Sequence, residues 1–194
     1  MKQTSYALGM SVANNVLASG IENLNVEEFT KAFKAVLAGE ATELSASQAQ
    51  SVLNEFFSNL EAKHSSKMKE EGEKFLNENK KQDGVITLAS GLQYKVLKTG
   101  NGKQATAKDT VECHYEGRLI NGVKFDSSYD RGETATFGVT QVIQGWVEAL
   151  QLMKEGDKWQ LFIPYNLAYG ERGAGQSIPP YATLIFDIEV IKVK

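Results

Sequence analysis

Val142–Met153, VIQGWVEALQLM, puts Val142, Trp146, Ala149, Leu150 and Met153 on one face of a short helix. On either side of it the chain alternates with period two, the rhythm of half-buried strands. Leu92, Tyr94 and Val96 alternate with Gln93, Lys95 and Leu97, and Val111, Cys113 and Tyr115 with Glu112, His114 and Glu116. Leu161 and Ile163 alternate with Gln160 and Phe162, and Phe186, Ile188, Val190 and Ile191 close the chain. Turn signals separate the runs at residues 99–103, 120–122 and 155–157. One helix among such strands predicts an α+β domain over residues 85–194, a mostly antiparallel sheet wrapped on a single short helix.

Upstream the rhythm changes. Residues 1–84 contain no proline and follow helical spacing, with Tyr6, Met10, Ala13 and Leu17 on one face and Gly20 where a helix would stop. Asn25 with Glu28, and Ser45 with Gln48, are N-terminal capping signatures for a second and a third helix. The expected division is an all-α domain over 1–44, a long connecting helix over 45–84 and the sheet domain over 85–194. The third helix begins apolar (Val52, Leu53, Phe56, Phe57, Leu60) and turns almost wholly polar through KHSSKMKEEGEK, residues 63–74. That second part reads as a solvated connector, roughly 55 Å long if continuous to Gln82, with Gly72 as a candidate hinge. His64 on it has no metal-ligand partner at helical spacing. Three helices carrying two Phe pairs hold more apolar surface than a small bundle buries alone, so a homodimer through the N-terminal helices is expected.

Bulk properties remove several functions. The chain has 194 residues, 42% hydrophobic, and a net charge of −3, which gives no reason to expect nucleic acid or an anionic membrane as partner. Cys113 is the only cysteine, so no intramolecular disulfide forms. No apolar run reaches the roughly 20 residues that span a bilayer. The N-terminal MKQTSYALGM lacks the apolar segment of a signal peptide, so the expected location is cytoplasmic; a periplasmic mature form whose leader had been removed is the alternative.

Catalytic signatures for nucleophiles, nucleotides and zinc (GxSxG, Walker A, GxGxxG, HExxH) are missing from the chain. Cys113 and His114 are neighbours on a strand and point to opposite faces, which removes a Cys–His pair. No cofactor and no metal are expected. What the C-terminal part does carry is aromatic residues at breaks in the strand pattern, and one acid, Asp126, directly after Phe125 and five residues before Arg131. Alone, Asp126 would read as the start of a turn with Ser127 and Ser128.

The motifs decide between these readings. HYEG at 114–117, FDSS at 125–128, VIQGW at 142–146, LAYGERG at 167–173 and IPPYATLIFD at 178–187 together resemble the FKBP family of peptidyl-prolyl cis–trans isomerases, from about Gly91 to Val193. The helical N-terminal part, with KEEGEKFLNENKKQDGV and ASGLQYKVLKTG, resembles the Mip-like bacterial subfamily, which carries an N-terminal helical dimerisation domain.

The resemblance implies a half-open antiparallel sheet around one short helix and a pocket for the proline ring. Trp146 would be its floor and Val142 and Ile143 its rim, with the Ile143 backbone N–H donating to a substrate carbonyl. Tyr115, Phe125, Phe137 and Phe186 would form walls, Ile178 would overhang, and Tyr169 would offer its hydroxyl. Asp126 would lie beside the isomerising amide, positioned by Tyr115 and Arg131. Implied partners are prolyl peptides, unfolded or partly folded proteins, and tacrolimus- or rapamycin-type macrolides as inhibitors. The pattern departs from the family at Ala135, Ala174 and Ser177, each smaller or more polar than is frequent there. Two rival readings are a binding module or chaperone cradle for unfolded chains, and a scaffold with a vestigial pocket.

Overall fold

A computed structural model describes all residues, 1–194. The chain forms two compact units, Met1–Lys63 and His64–Lys194.

The first unit is helical. α1 (Lys2–Ala18) ends at Ser19 and Gly20, the latter left-handed at φ 80°. α2 (Val26–Ala38) starts at Asn25, whose side chain accepts from the N–H groups of Glu27 and Glu28, and stops at left-handed Gly39. α3 (Ala46–Asn79) opens with a complete capping box. In it Gln48 accepts from the Ser45 N–H at 2.9 Å, and Ser45 Oγ accepts from the Gln48 N–H at 3.3 Å. Neither α1 nor α2 has a buried residue. Tyr6, Leu17, Val36 and Leu37 are all more than 60% exposed, and Phe29, Phe33, Phe56 and Phe57 are exposed as well. These helices lack a core of their own within one chain.

The second unit is a seven-stranded antiparallel sheet: β1 (Val85–Thr87), β2 (Gln93–Lys98), β3 (Thr110–Leu119), β4 (Lys124–Ser127), β5 (Ala135–Gly138), β6 (Lys158–Ile163) and β7 (Leu184–Val193). Six strands run in the order β1-β2-β6-β7-β3-β4, and β5 continues along the β3 edge where β4 stops. A one-turn helix α4 (Ser128–Arg131) follows β4, and α5 (Gln144–Leu150) lies within the curl of the sheet. Val111, Cys113, Leu161, Ile163, Ile188 and Val190 meet Ala149, Leu150 and Met153 in one fully buried core. Burial pushes the Cys113 thiol up to about 12, so it packs as a small inert hydrophobe.

The opposite sheet face differs from its sequence reading. Gln93, Phe162 and Ile185 are cross-strand neighbours in β2, β6 and β7, on the face that alternation assigns to solvent, yet all three are less than 9% exposed. The second half of α3 packs on the first two. Phe75 packs on Phe162 with ring centroids 6.0 Å apart. Gln93 Nε2 donates to the Leu76 carbonyl at 2.9 Å and its oxygen accepts from Asn79 Nδ2 at 2.8 Å, which anchors the C-terminal end of the helix. Gly72 is the one buried residue of α3, and a Cβ there would meet Thr183 Oγ1 at 2.4 Å. One face of residues 68–79 therefore packs on the sheet, and only the other face is solvated. Gly72 serves the close approach of α3 to Thr183. Phe75 and Leu76 do form an apolar patch, but the run before them, packed through a glycine, carries almost no hydropathy signal, which is why periodicity read residues 63–74 as solvated.

Candidate active site

The curl of the sheet leaves a cleft of about 590 Å³. Most of its lining comes from five places in the chain: Tyr115 of β3, Phe125 and Asp126 of β4, Phe137 of β5, Phe186 of β7, and the segment from Gln141 to Trp146 entering α5. Tyr169, Ala174, Ser177 and Ile178 of the connection between β6 and β7 complete it.

Trp146 lies at the bottom, 4% exposed. The rings of Tyr115, Phe137 and Phe186 meet it edge to face at 5.3, 5.6 and 5.2 Å, an arrangement that fixes the indole plane. Two glycines make this possible. A Cβ on Gly145 would stand 2.5 Å from Ile163 Cγ2, so only glycine lets α5 sit this close to β6. A Cβ on Gly117 would stand 2.6 Å from both the Phe125 and Phe186 rings, which cross over that bare backbone. The glycines of VIQGW and HYEG thus shape the cleft without lining it.

One charged group interrupts the largely apolar lining. Asp126, on β4 opposite Gly117, accepts from Tyr115 Oη at 2.5 Å on one oxygen and from Arg131 Nη1 at 2.5 Å on the other. Arg131 Nη2 also donates to Tyr115 Oη at 2.8 Å, closing the triangle. Local structure explains the five-residue spacing. Ser127 Oγ, not Asp126, caps α4 by accepting from the Asp130 N–H, and Gly132 ends it left-handed, so a single turn brings Arg131 back over Asp126. Ser128, fully buried, accepts from the Tyr115 N–H at 2.8 Å and ties this turn to β3. Burial raises the Asp126 pKa, but the hydrogen bonds from Tyr115 and Arg131 outweigh it and hold the carboxyl below its ordinary value. It is a carboxylate at neutral pH.

Two donors at the rim have no partner inside the protein. The Ile143 N–H precedes α5, where the Ile143 carbonyl already accepts from Trp146 and Val147. The Tyr169 hydroxyl is free too, and burial together with the Asp126 charge raises its pKa, so it stays a donor. Every expected site residue except Arg131 lines the cleft, and Arg131 stands behind Asp126. Gln141 was not anticipated; nothing in its local pattern distinguishes it from an exposed loop glutamine. Ala174 and Ser177 line the cleft, whereas Ala135 packs half-buried against the core.

Residues 101–191 match the family described as FKBP-type peptidyl-prolyl cis-trans isomerase, and residues 1–96 the domain amino terminal to it. The chain is 45% identical to a probable FKBP-type peptidyl-prolyl cis-trans isomerase FkpA of Neisseria meningitidis, over 100% of this chain and 74% of that protein. It belongs to the FKBP-type isomerases. An outer membrane protein MIP of Legionella longbeachae is 41% identical over 98% of this chain and 84% of its own length. The crystal structure of FkpA from Escherichia coli superimposes with a TM-score of 0.82 at 33% identity, covering 99% of this chain and 95% of that one.

The reaction of an FKBP-type isomerase, rotation about an X–Pro bond, suits a cleft of this composition. The barrier of about 20 kcal/mol is the amide resonance lost on twisting, and no covalent bond changes. An isomerase therefore needs no nucleophile. No group of three His, Cys, Asp or Glu side chains is placed to hold a metal, and no helix is long and apolar enough to cross a membrane.

Proposed function

We propose that this FKBP-type isomerase turns prolyl segments in the cleft over Trp146, with the proline ring on the indole and the preceding carbonyl near Asp126. The arrangement of Asp126 carries the reading: an ionised carboxylate in an aromatic cleft, held by Tyr115 and Arg131. The twisted amide is less dipolar than the planar one, so an apolar cleft disfavours the ground state more than the transition state. Asp126 favours the rotated carbonyl electrostatically, and the free donors on Ile143 and Tyr169 hold the flanking chain still. A million-fold acceleration needs only about 8 kcal/mol from all these together. Phe125, Phe137, Val142, Ile178 and Phe186 supply the apolar walls. The same apolar cleft is the expected seat of rapamycin- or tacrolimus-type macrolides.

The test is isomerisation of a leucyl-prolyl peptide by the full chain, its Asp126→Leu and Trp146→Ala variants, and wild type titrated with rapamycin. Slow variants and inhibition by the drug support the assignment; Trp146→Ala at full activity removes the indole from it.

A second reading rests on a separate observation. The exposed apolar faces of α1, α2 and the first half of α3 call for a partner, and a second copy of this chain is the simplest one. Functionally we divide the chain into a dimerisation domain (1–44), a connecting helix (45–84) and an isomerase domain (85–194), the dimer acting as a chaperone for unfolded chains. The similarity to a protein named for the outer membrane favours the periplasmic mature form over the cytoplasmic location expected from the sequence.

A further inference from the structure

The connection between β6 and β7, residues 164–183, carries a third of the cleft lining and contains no strand of its own. A loop of that length presents side chains reliably only if its base is fixed. Within the loop the Tyr181 N–H donates to the Gly170 carbonyl at 2.9 Å, directly beside Tyr169, and the Gly170 N–H to the Tyr165 carbonyl at 2.9 Å. Ala174 and Ile178 bond each other through both backbone groups, at 2.8 and 3.1 Å.

Tyr181 is the only non-glycine residue of the chain with positive φ, at 60°. An aromatic residue holds a left-handed backbone only where its surroundings over-determine it. Its ring is held on two sides. Tyr165 packs edge to face against it at 5.2 Å, and the Lys69 ammonium of α3 lies 4.1 Å from its centroid and 5.7 Å from that of Tyr165. One turn further along α3, the bare backbone of Gly72 abuts Thr183, two residues beyond Tyr181.

We propose that Lys69 is a positioning residue of the isomerase: through the Tyr181 ring it fixes the base of the β6–β7 connection and so places Tyr169 and Ile178 over the cleft. Gly72 is what brings α3 close enough for Lys69 to reach. The ammonium over an aromatic face contributes through charge, so arginine preserves the function and an uncharged chain of similar length does not. The substrate site of this protein thereby includes a helix that lies outside the sheet domain in the chain order. The proposal rests on the assignment of Tyr169 and Ile178 to the substrate cleft.

The experiment compares the full-length wild type with Lys69→Met and Lys69→Arg. Three readouts are taken: kcat and KM on a leucyl-prolyl peptide, amide hydrogen exchange at Tyr181, Ala174 and Ile178, and thermal stability. For Lys69→Met we expect KM to rise about fivefold with kcat nearly unchanged, and exchange at those three amides to quicken by a similar factor. Core amides such as Cys113 and Tm should hold, and Lys69→Arg should restore both readouts. Wild-type exchange at the three amides in Lys69→Met overturns the coupling. A loss spread evenly over core amides, or one that arginine fails to restore, shows a merely structural role and overturns it too. Faster exchange with unchanged KM overturns the positioning role while leaving the loop contact intact, and points to a wrong placement of Tyr169 and Ile178 at the substrate.

Discussion

Gly145→Ala tests the reading of VIQGW most directly, because two opposing effects act on one methyl group. In a helix alanine is favoured over glycine by about 1 kcal/mol. Against that, the new Cβ would stand 2.5 Å from Ile163 Cγ2 and 3.1 Å from its Cδ1. Carbon contacts are comfortable at roughly 3.5–4.0 Å, so α5 or β6 must yield by about 1 Å. Ile163 is fully buried and cannot turn aside. Overpacking of this kind costs about 1–3 kcal/mol, which makes the substitution neutral to destabilising by about 2 kcal/mol in the wild-type background. With Ile163→Ala the three clashing carbons are gone, and the same Gly145→Ala should stabilise by about 1 kcal/mol. The sign reversal is the prediction. Urea unfolding followed by tryptophan fluorescence measures it, since Trp146 and Trp159 are the only tryptophans and both lie in the second unit. Peptide turnover by the single variant should fall at least about tenfold, because Trp146 moves with α5. Equal destabilisation in both backgrounds would refute close approach as the reason for the glycine.

Further outcomes follow from the same structure. The Asp126 carboxyl is depressed in the folded protein, so its contribution is complete above the ordinary carboxylate value of about 3.9 and is lost only as pH falls through the lower folded value. Arg131→Met leaves burial less opposed, and an NMR titration of Asp126 should show its midpoint moving upward, with the acid limb of peptide turnover following; an unmoved midpoint would mean that Arg131 does not hold the charge. Phe33→Asp combined with Leu37→Asp places charges on the exposed face of α2 and should convert a dimer into a monomer in sedimentation, while turnover of a short peptide stays within about twofold. A wild-type chain that sediments as a monomer at micromolar concentration would end the dimer proposal. Asp109, which accepts from Lys103 and Thr106, should titrate at about 2, and Lys103→Ala should raise that value.

Much of the architecture was legible because it is local. Capping at Asn25 and Ser45, termination at Gly20, and the alternation in β3, β6 and β7 all depend on residues within one turn or one strand of each other. Motif spacing pointed to a set of residues that the fold does gather in one cleft, from Tyr115 to Phe186. Gln141 escaped notice because its place depends on the approach to α5 and not on any feature of its own.

The sequence by itself determined the class of each segment, the family and the type of reaction, since these rest on periodicity and on contiguous motifs. Only the tertiary structure decided what the polar half of α3 does. Its packed face is buried Gly72, half-buried Met68, Lys69, Phe75 and Leu76, and groups bonded by Gln93; only Met68 is apolar before residue 75, too little for an apolar stripe along the polar run. The family resemblance implied that Tyr115 and Arg131 position Asp126, but no local pattern specifies the bonds of that triangle, which cross from β3 to the turn after β4. Hydropathy registers surface removed from water along one element; a close backbone approach or a hydrogen bond between distant elements exists only once both have been brought together.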